Sequence, residues 1–340
     1  MRAMQLQRLC DLNDCAAPLI ECDVPDPRPG RGEVLIAVGV CGVCHTELDE
    51  IEGRAPPPSL PVIPGHQVVG RIAETGPAAR RFSIGDRVGV GWIHSSDGSA
   101  EENLSDAFRA TGRDVDGGYA EYLVVPEAYA HPIPDAFSDV QAAPLLCAGA
   151  VGFRALSLCR LTNGESLGLT GFGGSGHIVL QLARHLFPDT PVFVFARSAV
   201  ERAFALELGA NWSGDTDDAP PTPLHAIIDT TPVWRPVLAA LAALRPGGRL
   251  VINAIRKQDD DRDVLASLSY DRHLWLEKEL KTVANVTAAD IARFLPIAAE
   301  IPVQVETECF PLSRANDALN SLRRGHLRGA KVLEIGAATR

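Results

Sequence analysis

One hexapeptide constrains the fold of this chain more than any other stretch. Residues 171–176 read GFGGSG, a G-x-G-x-x-G spacing that directly follows an apolar run ending at Thr170. From Ser175 to Phe187 the apolar residues recur with helical periodicity, so the glycines lie in a turn between a strand and a helix. Strand-like and helix-like segments continue to alternate as far as Ala254. This alternation predicts the α/β class with a doubly wound parallel sheet.

The glycines of this turn indicate that the domain binds a dinucleotide. Gly171 permits the tight turn, and Gly176 lets the helix pack closely on the strand. Between them, Gly173 and Gly174 leave room for a pyrophosphate to approach backbone N–H groups at the helix N-terminus. The turn therefore predicts a Rossmann nucleotide-binding domain.

The end of the next strand bears on the choice of cofactor. NAD-specific sites carry a carboxylate there, which accepts hydrogen bonds from the adenosine ribose hydroxyls and repels a 2′-phosphate. Here Ala196 takes that place, followed by Arg197 and Ser198. A guanidinium and a hydroxyl suit phosphate oxygens, so NADP is expected to be preferred. The alternative is that Arg197 points to solvent and that NAD is used as well.

Three short segments outside this domain carry candidate metal ligands. They are 41–47 (CGVCHTE), 64–67 (PGHQ) and 144–147 (PLLC). Together they offer two thiolates and one imidazole, the ligand mixture of a catalytic zinc that keeps a fourth position open. The Thr46 hydroxyl is placed to pass a proton to or from a reacting oxygen, and Glu47 to accept the free ring N–H of His66. A redox dithiol or a zinc ribbon fits less well, since the chain lacks a second Cys-x-x-Cys.

These segments resemble those of the zinc-dependent alcohol dehydrogenases of the medium-chain dehydrogenase/reductase superfamily, and the resemblance covers essentially the whole chain. It implies a mostly β, GroES-like catalytic domain over 1–148, the Rossmann domain over 149–287 and a return to the catalytic domain over 288–340. It carries the zinc ligands over onto Cys44, His66 and Cys147, leaving Cys41 out.

Two further site residues follow from the resemblance alone. Trp92 matches an aromatic position that narrows the alcohol pocket in the family, although a plain core tryptophan is the alternative. Arg328 matches an arginine that pairs with the cofactor pyrophosphate, the alternative being a surface arginine.

The chain departs from the family pattern at three places. Gln67 replaces the glutamate that usually follows the ligand histidine. Asp49, a candidate catalytic residue, stands where many relatives carry a relay histidine, so the proton is expected to leave from Thr46 through the cofactor ribose and water instead. Residues 95–106, which resemble the structural-zinc lobe in their flanks, contain no cysteine. One catalytic zinc and no structural zinc are therefore expected.

Length and charge narrow the remaining classes of function. A chain of 340 residues is long enough for two domains with a core each. A formal net charge of −11 argues against binding to nucleic acid or to an anionic membrane. Neither a signal peptide nor an uncharged span of roughly 18 residues is evident, so a cytoplasmic protein is expected, and the resemblance implies a homodimer or homotetramer.

The sequence thus favours a zinc-dependent dehydrogenase that moves a hydride between a primary or secondary alcohol and NAD(P), with the alcohol or aldehyde as its small-molecule partner. Two alternatives remain open. A zinc-independent quinone or enone reductase of the same superfamily would not need Cys44, His66 and Cys147. A nucleotide-binding relative without turnover is consistent with Gln67 and Asp49. The sequence does not specify the alcohol or the physiological direction.

Overall fold

The computed structural model describes residues 1–301, 303–324 and 330–336. The chain divides into two compact units. Unit 1 comprises Met1–Ala150 together with the chain from Asn285 onward, and unit 2 comprises Val151–Ala284. Unit 2 is therefore inserted, in sequence, into unit 1.

The strands are numbered in chain order. They are β1 Arg2–Leu6, β2 Leu19–Asp23, β3 Glu33–Val43, β4 Gln67–Thr75, β5 Arg87–Val90, β6 Ile93–Ser95, β7 Arg109–Ala110, β8 Tyr122–Pro126, β9 His131–Pro132, β10 Leu167–Thr170, β11 Val192–Phe195, β12 Trp212–Gly214, β13 Leu224–Asp229, β14 Leu244–Ile252, β15 Glu279–Thr282, β16 Thr307–Pro311 and β17 Ala330–Glu334.

The α-helices are numbered in the same way. They are α1 His45–Ile51, α2 Asp139–Pro144, α3 Ala150–Cys159, α4 Gly176–Leu186, α5 Ala199–Glu207, α6 Arg235–Ala243, α7 Ala288–Glu300 and α8 Ala315–Arg323. Short 3₁₀ turns cover Glu102–Leu104, Glu127–Tyr129, Arg262–Ser267 and Leu312–Arg314, and π-helical turns cover Leu145–Gly149 and Tyr270–Leu274.

Unit 1 is built on a mainly antiparallel sheet in the order β16-β17-β3-β4-β5-β9, with β8 also paired to β3. Its long strand β3 follows from the alternation of Val34, Ile36 and Val38, which are fully buried. The alternation predicts a strand over residues 33–40 followed by a turn, but β3 continues to Val43 because Cys41–Val43 pair antiparallel with Lys331–Leu333 of β17. Residues 41–47 are therefore a strand end followed by α1.

Unit 2 carries a parallel sheet in the order β12-β11-β10-β13-β14-β15. The predicted doubly wound parallel sheet is confirmed. The strand order reverses between β10 and β13, which is the switch point where such sheets bind ligands. A core cluster packs β11, β13 and β14 against α6 through Phe193, Ile227, Leu241 and Leu250, among others.

One helical run is long and apolar enough to be compared with a membrane span. It covers Asp139–Cys159, with a mean hydropathy of 1.6, and 67% of its most apolar window is buried inside the protein. Its hydrophobic side chains are therefore used in the core. The run includes the π-helical turn Leu145–Gly149, which carries Cys147.

Candidate active site

Three candidate ligand atoms meet in unit 1. Cys44 Sγ lies 3.9 Å from Cys147 Sγ, and His66 Nε2 lies 3.3 Å from Cys147 Sγ. All three atoms lie within 4.8 Å of one another. Tetrahedral zinc, with bonds of about 2.0–2.3 Å, separates neighbouring ligand atoms by roughly 3.3–3.8 Å. The donor set and its spacing therefore fit one zinc ion.

Each ligand is delivered by a different piece of local structure. Cys44 is the N-cap of α1, at the end of β3. His66 directly precedes β4 and follows Gly65, whose φ of +98° and close approach to the Tyr119 ring exclude a larger residue. Cys147 projects from the π-helical turn, an irregularity that frequently occurs at functional sites.

Glu47 joins two of these pieces through one buried carboxylate. Its Oε1 lies 2.7 Å from His66 Nδ1, and its Oε2 accepts a 2.7 Å hydrogen bond from the backbone N–H of Cys44. The contact at Nδ1 leaves Nε2 on the side of the two sulfur atoms. Glu47 therefore fixes the ring orientation that metal binding requires.

The three ligand groups also perturb one another electrostatically. The hydrogen bond with the Cys147 thiol, followed by contacts with His66, lowers the pKa of Cys44 well below its usual range, against the opposing effect of burial. The same hydrogen bond and burial raise the pKa of Cys147. Burial disfavours the charged form of His66, but Glu47 and Cys44 together raise its pKa well above the usual value. The lowered pKa of Cys44 favours its thiolate, and the raised pKa values of Cys147 and His66 favour their protonated forms. A bound metal ion would displace those protons.

The other residues of unit 1 that the sequence predicts at the site differ in their contacts with the three ligands. Thr46 Oγ1 lies 3.5 Å from Cys44 Sγ, and the Trp92 ring centroid lies 6.2 Å from that of His66. Asp49 is buried and accepts a 2.7 Å hydrogen bond from Arg54 Nε. Gln67 is buried and packs against Gly42, where an added Cβ would meet Gln67 Oε1 at 2.3 Å.

The nucleotide turn of unit 2 has the geometry of a pyrophosphate site. Gly171 has a φ of +80°, and a Cβ on Gly176 would meet the Gly171 carbonyl oxygen at 2.7 Å. By contrast, Cβ atoms on Gly173 and Gly174 would meet nothing within 4 Å. The turn is therefore tight at its two ends and open in the middle, where a phosphate group would lie.

Beyond β11, two arginines lie close to Ala196. Ala196 is buried, whereas Arg197 and Ser198 are exposed, and the Ser198 hydroxyl caps α5. Sequence reasoning missed Arg202, which donates hydrogen bonds to the carbonyl oxygens of Ala196 and Arg197 at 2.7 and 2.9 Å. Arg328 lies outside the described residues.

Sequence reasoning also missed the role of Glu102 in the cysteine-free lobe. Its buried carboxylate accepts hydrogen bonds from Tyr129 Oη at 2.9 Å and from the backbone N–H of Ala288 at 2.7 Å. The backbone carbonyl of Glu102 accepts a third from Ser96 Oγ at 2.7 Å. These bonds tie residues 95–106 to the N-terminus of α7. Only the neighbouring sequence Glu102-Asn103-Leu104-Ser105 had drawn attention to the lobe.

Comparison with known proteins decides the family. The model of the alcohol dehydrogenase GroES-like domain matches residues 30–135. The chain is 42% identical to the probable alcohol dehydrogenase AdhA of Mycobacterium tuberculosis, over 98% of this chain and 97% of that one. The chain belongs to the zinc-dependent alcohol dehydrogenase family. An alcohol dehydrogenase of Geobacillus stearothermophilus is 32% identical over 94% of this chain and 96% of its own length.

The fold of this alcohol dehydrogenase matches a solved structure of the same family. A cinnamyl alcohol dehydrogenase of Sorghum bicolor superposes with a TM-score of 0.81 at 26% identity, over 99% of this chain and 98% of that one. The expected combination of a Rossmann sheet and a GroES-like domain is therefore confirmed. The protein is an NAD(P)-dependent oxidoreductase that acts on the CH–OH group.

Proposed function

We propose that this dehydrogenase holds one zinc ion at Cys44, His66 and Cys147 and oxidises a primary or secondary alcohol, or reduces the corresponding carbonyl, with NADP preferred to NAD. The observation that carries the proposal is the meeting of two sulfur atoms and one imidazole nitrogen within 4.8 Å. Three protein ligands leave a fourth tetrahedral position for water or substrate, as catalytic zinc requires.

Cys44, His66 and Cys147 would hold the zinc ion, which would supply a Lewis acid for negative charge on the substrate oxygen during hydride transfer. The residues of the chain orient this centre and handle the proton. Glu47 keeps His66 in the tautomer that leaves Nε2 free for the metal. The Thr46 hydroxyl, 3.5 Å from Cys44 Sγ, accepts the alcohol proton while it releases its own proton to the cofactor ribose hydroxyl and, from there, to water. Trp92, beside His66, forms one wall of the substrate pocket.

Asp49 is less suited to relaying the proton than its position in the sequence suggested. Its carboxylate is buried, and Oδ1 already accepts a hydrogen bond from the Arg54 guanidinium. We therefore assign the first proton transfer to Thr46. The buried amide of Gln67 adds no charge beside the ligands.

The ligand set also separates this proposal from the alternatives. A zinc-independent quinone or enone reductase has no need of two thiols and an imidazole in contact. A binding relative without turnover has no need of Glu47 to orient the imidazole. Both alternatives leave the Cys44–His66–Cys147 group unexplained.

Substitution of single ligands tests the proposal. Cys44→Ser and Cys147→Ser are expected to lose bound zinc and to lower kcat/KM for alcohols by at least about a thousandfold, while reduced cofactor still binds. Cys309→Ser changes an exposed thiol and serves as the matched control. Elemental analysis, turnover of an alcohol panel in both directions and cofactor fluorescence provide the readouts. Full activity in a metal-free double variant would refute the assignment.

A further inference from the structure

A buried ion pair lies at the carboxyl edge of the parallel sheet in unit 2. Asp229, fully buried at the end of β13, contacts Lys257 Nζ, and the Lys257 side chain is only 7% exposed. Thr170 Oγ1 and Thr231 Oγ1 donate to Asp229 Oδ1 at 2.5 and 2.7 Å. Lys257 Nζ also donates to the Thr231 carbonyl oxygen at 2.7 Å. The pair thus fastens the segment after β14 to the turn after β13.

Such a pair needs an explanation other than stability. Removing two charges from water costs several kcal/mol per ion, and apolar replacements of similar volume are often no less stable. Both oxygens of the Asp229 carboxylate accept hydrogen bonds, from two threonine hydroxyls and from Lys257. What the pair fixes is geometry, since residues 253–257 connect the end of β14 to Lys257.

The residue fixed most directly is Asn253. It directly follows β14 and is 9% exposed, and its backbone N–H donates to the Asp229 carbonyl oxygen at 2.7 Å. Its side-chain Nδ2 has no hydrogen-bond partner among the described residues. A buried amide donor without an acceptor is unfavourable, because it has lost its hydrogen bond to water without replacing it. A group that is absent when the protein stands alone is therefore expected to accept its hydrogen bond.

The strand order identifies that group. Dinucleotides lie across the switch point, with the pyrophosphate at the glycine turn after β10 and the adenosine ribose at the end of β11. β13 and β14 lie on the other side of β10. This side is left for the half of the cofactor that carries the nicotinamide.

We propose that Asn253 Nδ2 donates a hydrogen bond to an oxygen of the nicotinamide-bearing half of NAD(P), and that Asp229 and Lys257 hold Asn253 in position for it. Ribose hydroxyl and carboxamide oxygens both have the required acceptor chemistry. The inference rests on the NAD(P) dependence of the proposed function. The proposed contact to this half of the cofactor comes from the side chain directly after β14.

Two ligands that share the ADP moiety test the contact, and each Kd is compared between variant and native protein so that the 2′-phosphate of NADPH cancels. NADPH carries the nicotinamide half, whereas ADP does not. In Asn253→Ala the Kd of NADPH is expected to rise about fivefold, the equivalent of one hydrogen bond of about 1 kcal/mol. The Kd of ADP should stay within about twofold of the native value. Quenching of intrinsic fluorescence by each ligand measures both constants with the zinc-loaded full chain.

The role of Asp229 and Lys257 in positioning Asn253 is tested by substituting both residues. Lys257→Met alone leaves a buried, unpaired carboxylate, so the double variant Asp229→Asn/Lys257→Met keeps the site neutral. It is expected to weaken NADPH binding as Asn253→Ala does, to leave ADP binding unchanged, and to add little when combined with Asn253→Ala. An unchanged Kd for NADPH in Asn253→Ala, or equal losses for NADPH and ADP, would overturn the inference. If neither ligand bound the native protein, the proposed function itself would fail.

Discussion

Arg197 is an exposed cation in unit 2, at the proposed 2′-phosphate site. Its guanidinium follows Ala196 at the end of β11, and Arg202 holds the carbonyl oxygens of both residues. Arg197→Ala is expected to lower kcat/KM with NADP about tenfold and to leave kcat/KM with NAD nearly unchanged, because only NADP offers a 2′-phosphate. Steady-state kinetics with both cofactors measure the ratio.

Arg245→Ala, which removes an exposed arginine after α6, is the control for general charge effects. The phosphate-site interpretation is wrong if the native enzyme uses NAD at least as well as NADP and Arg197→Ala leaves the ratio unchanged.

His131 makes the free energy of unfolding depend on pH, independently of the metal site. It is 1% exposed in β9, and neither ring nitrogen has a hydrogen-bond partner among the described residues. Burial, assisted by the charge of Arg81, lowers the pKa of His131 to about 3. The unfolded chain, with a histidine pKa of about 6.5, binds the proton first as the pH falls.

His131 therefore adds no pH dependence to the free energy of unfolding above about pH 6.5. As the pH falls from there towards 3, the free energy of unfolding decreases. Linkage predicts a loss of about 2 kcal/mol between pH 7.5 and pH 5. His131→Gln, which does not titrate, should be less stable at pH 7.5 but lack this part of the slope. Urea denaturation at several pH values measures it, and equal slopes in both proteins would contradict the prediction.

Residue types and family spacing were enough to single out Cys44, His66 and Cys147. They were not enough for Arg202, Asn253 or Lys257. An arginine in a helix, an asparagine after a strand and a lysine in a loop have no distinctive local pattern. Their significance comes from partners that only the folded sheet brings near, such as Asp229 for Lys257.

The α7 helix depends on the lobe at 95–106 for part of its N-terminal capping. Thr287 and Asp290 cap it locally, and Glu102 accepts the N–H of Ala288. Glu102→Ala removes this bond and the one from Tyr129 in a buried site, so a loss of about 3 kcal/mol in the free energy of unfolding is expected. Chemical denaturation of the metal-loaded protein measures it.

Glu101→Ala, at the exposed neighbouring position, is the matched control and should change the free energy of unfolding by less than about 0.5 kcal/mol. Tyr129→Phe should reproduce part of the Glu102→Ala effect, because burial and the hydrogen bond with Glu102 raise the pKa of Tyr129 to about 12. If Glu102→Ala has the same free energy of unfolding as the native protein, the prediction is wrong and other contacts hold the lobe.

Periodicity predicted the interiors of the elements better than their ends. Val192–Phe195 was placed correctly because four apolar residues stand between polar turns. The extension of β3 through Val43 was missed because it depends on pairing with β17, which lies at the other end of the sequence. The π-helical turn at Cys147 was missed for a similar reason, since no local pattern distinguishes it from an α-helix.

At the scale of the whole molecule, the outer edge of β15 remains to be explained. All four residues of this edge strand are exposed, and Leu268, Tyr270, Leu274, Trp275 and Leu276 precede it with exposures of 39% or more. An exposed edge with an apolar surface invites pairing with another chain. We propose that two copies pair antiparallel here about Leu280, which places Glu279 opposite Lys281 of the partner.

Leu280→Lys is expected to separate the two copies of the proposed pair, because two added charges would face each other across the two-fold axis. Ile84→Lys, which changes a side chain that is 70% exposed in unit 1, should leave the assembly intact. Sedimentation velocity of both variants decides the matter. A native protein that sediments as a monomer would exclude this interface.

The pairing of β17 with the end of β3 also sets the order of events on the ribosome. Lys331 and Val332 lie beside Val43 and Gly42, immediately before Cys44. Unit 2 is one continuous stretch and emerges whole, whereas the sheet that supports Cys44 lacks a neighbouring strand until residues 330–334 leave the exit tunnel. Nascent chains stalled before that point should bind nucleotide yet acquire no tightly held zinc, so tight metal binding would follow the pairing of β17 with β3.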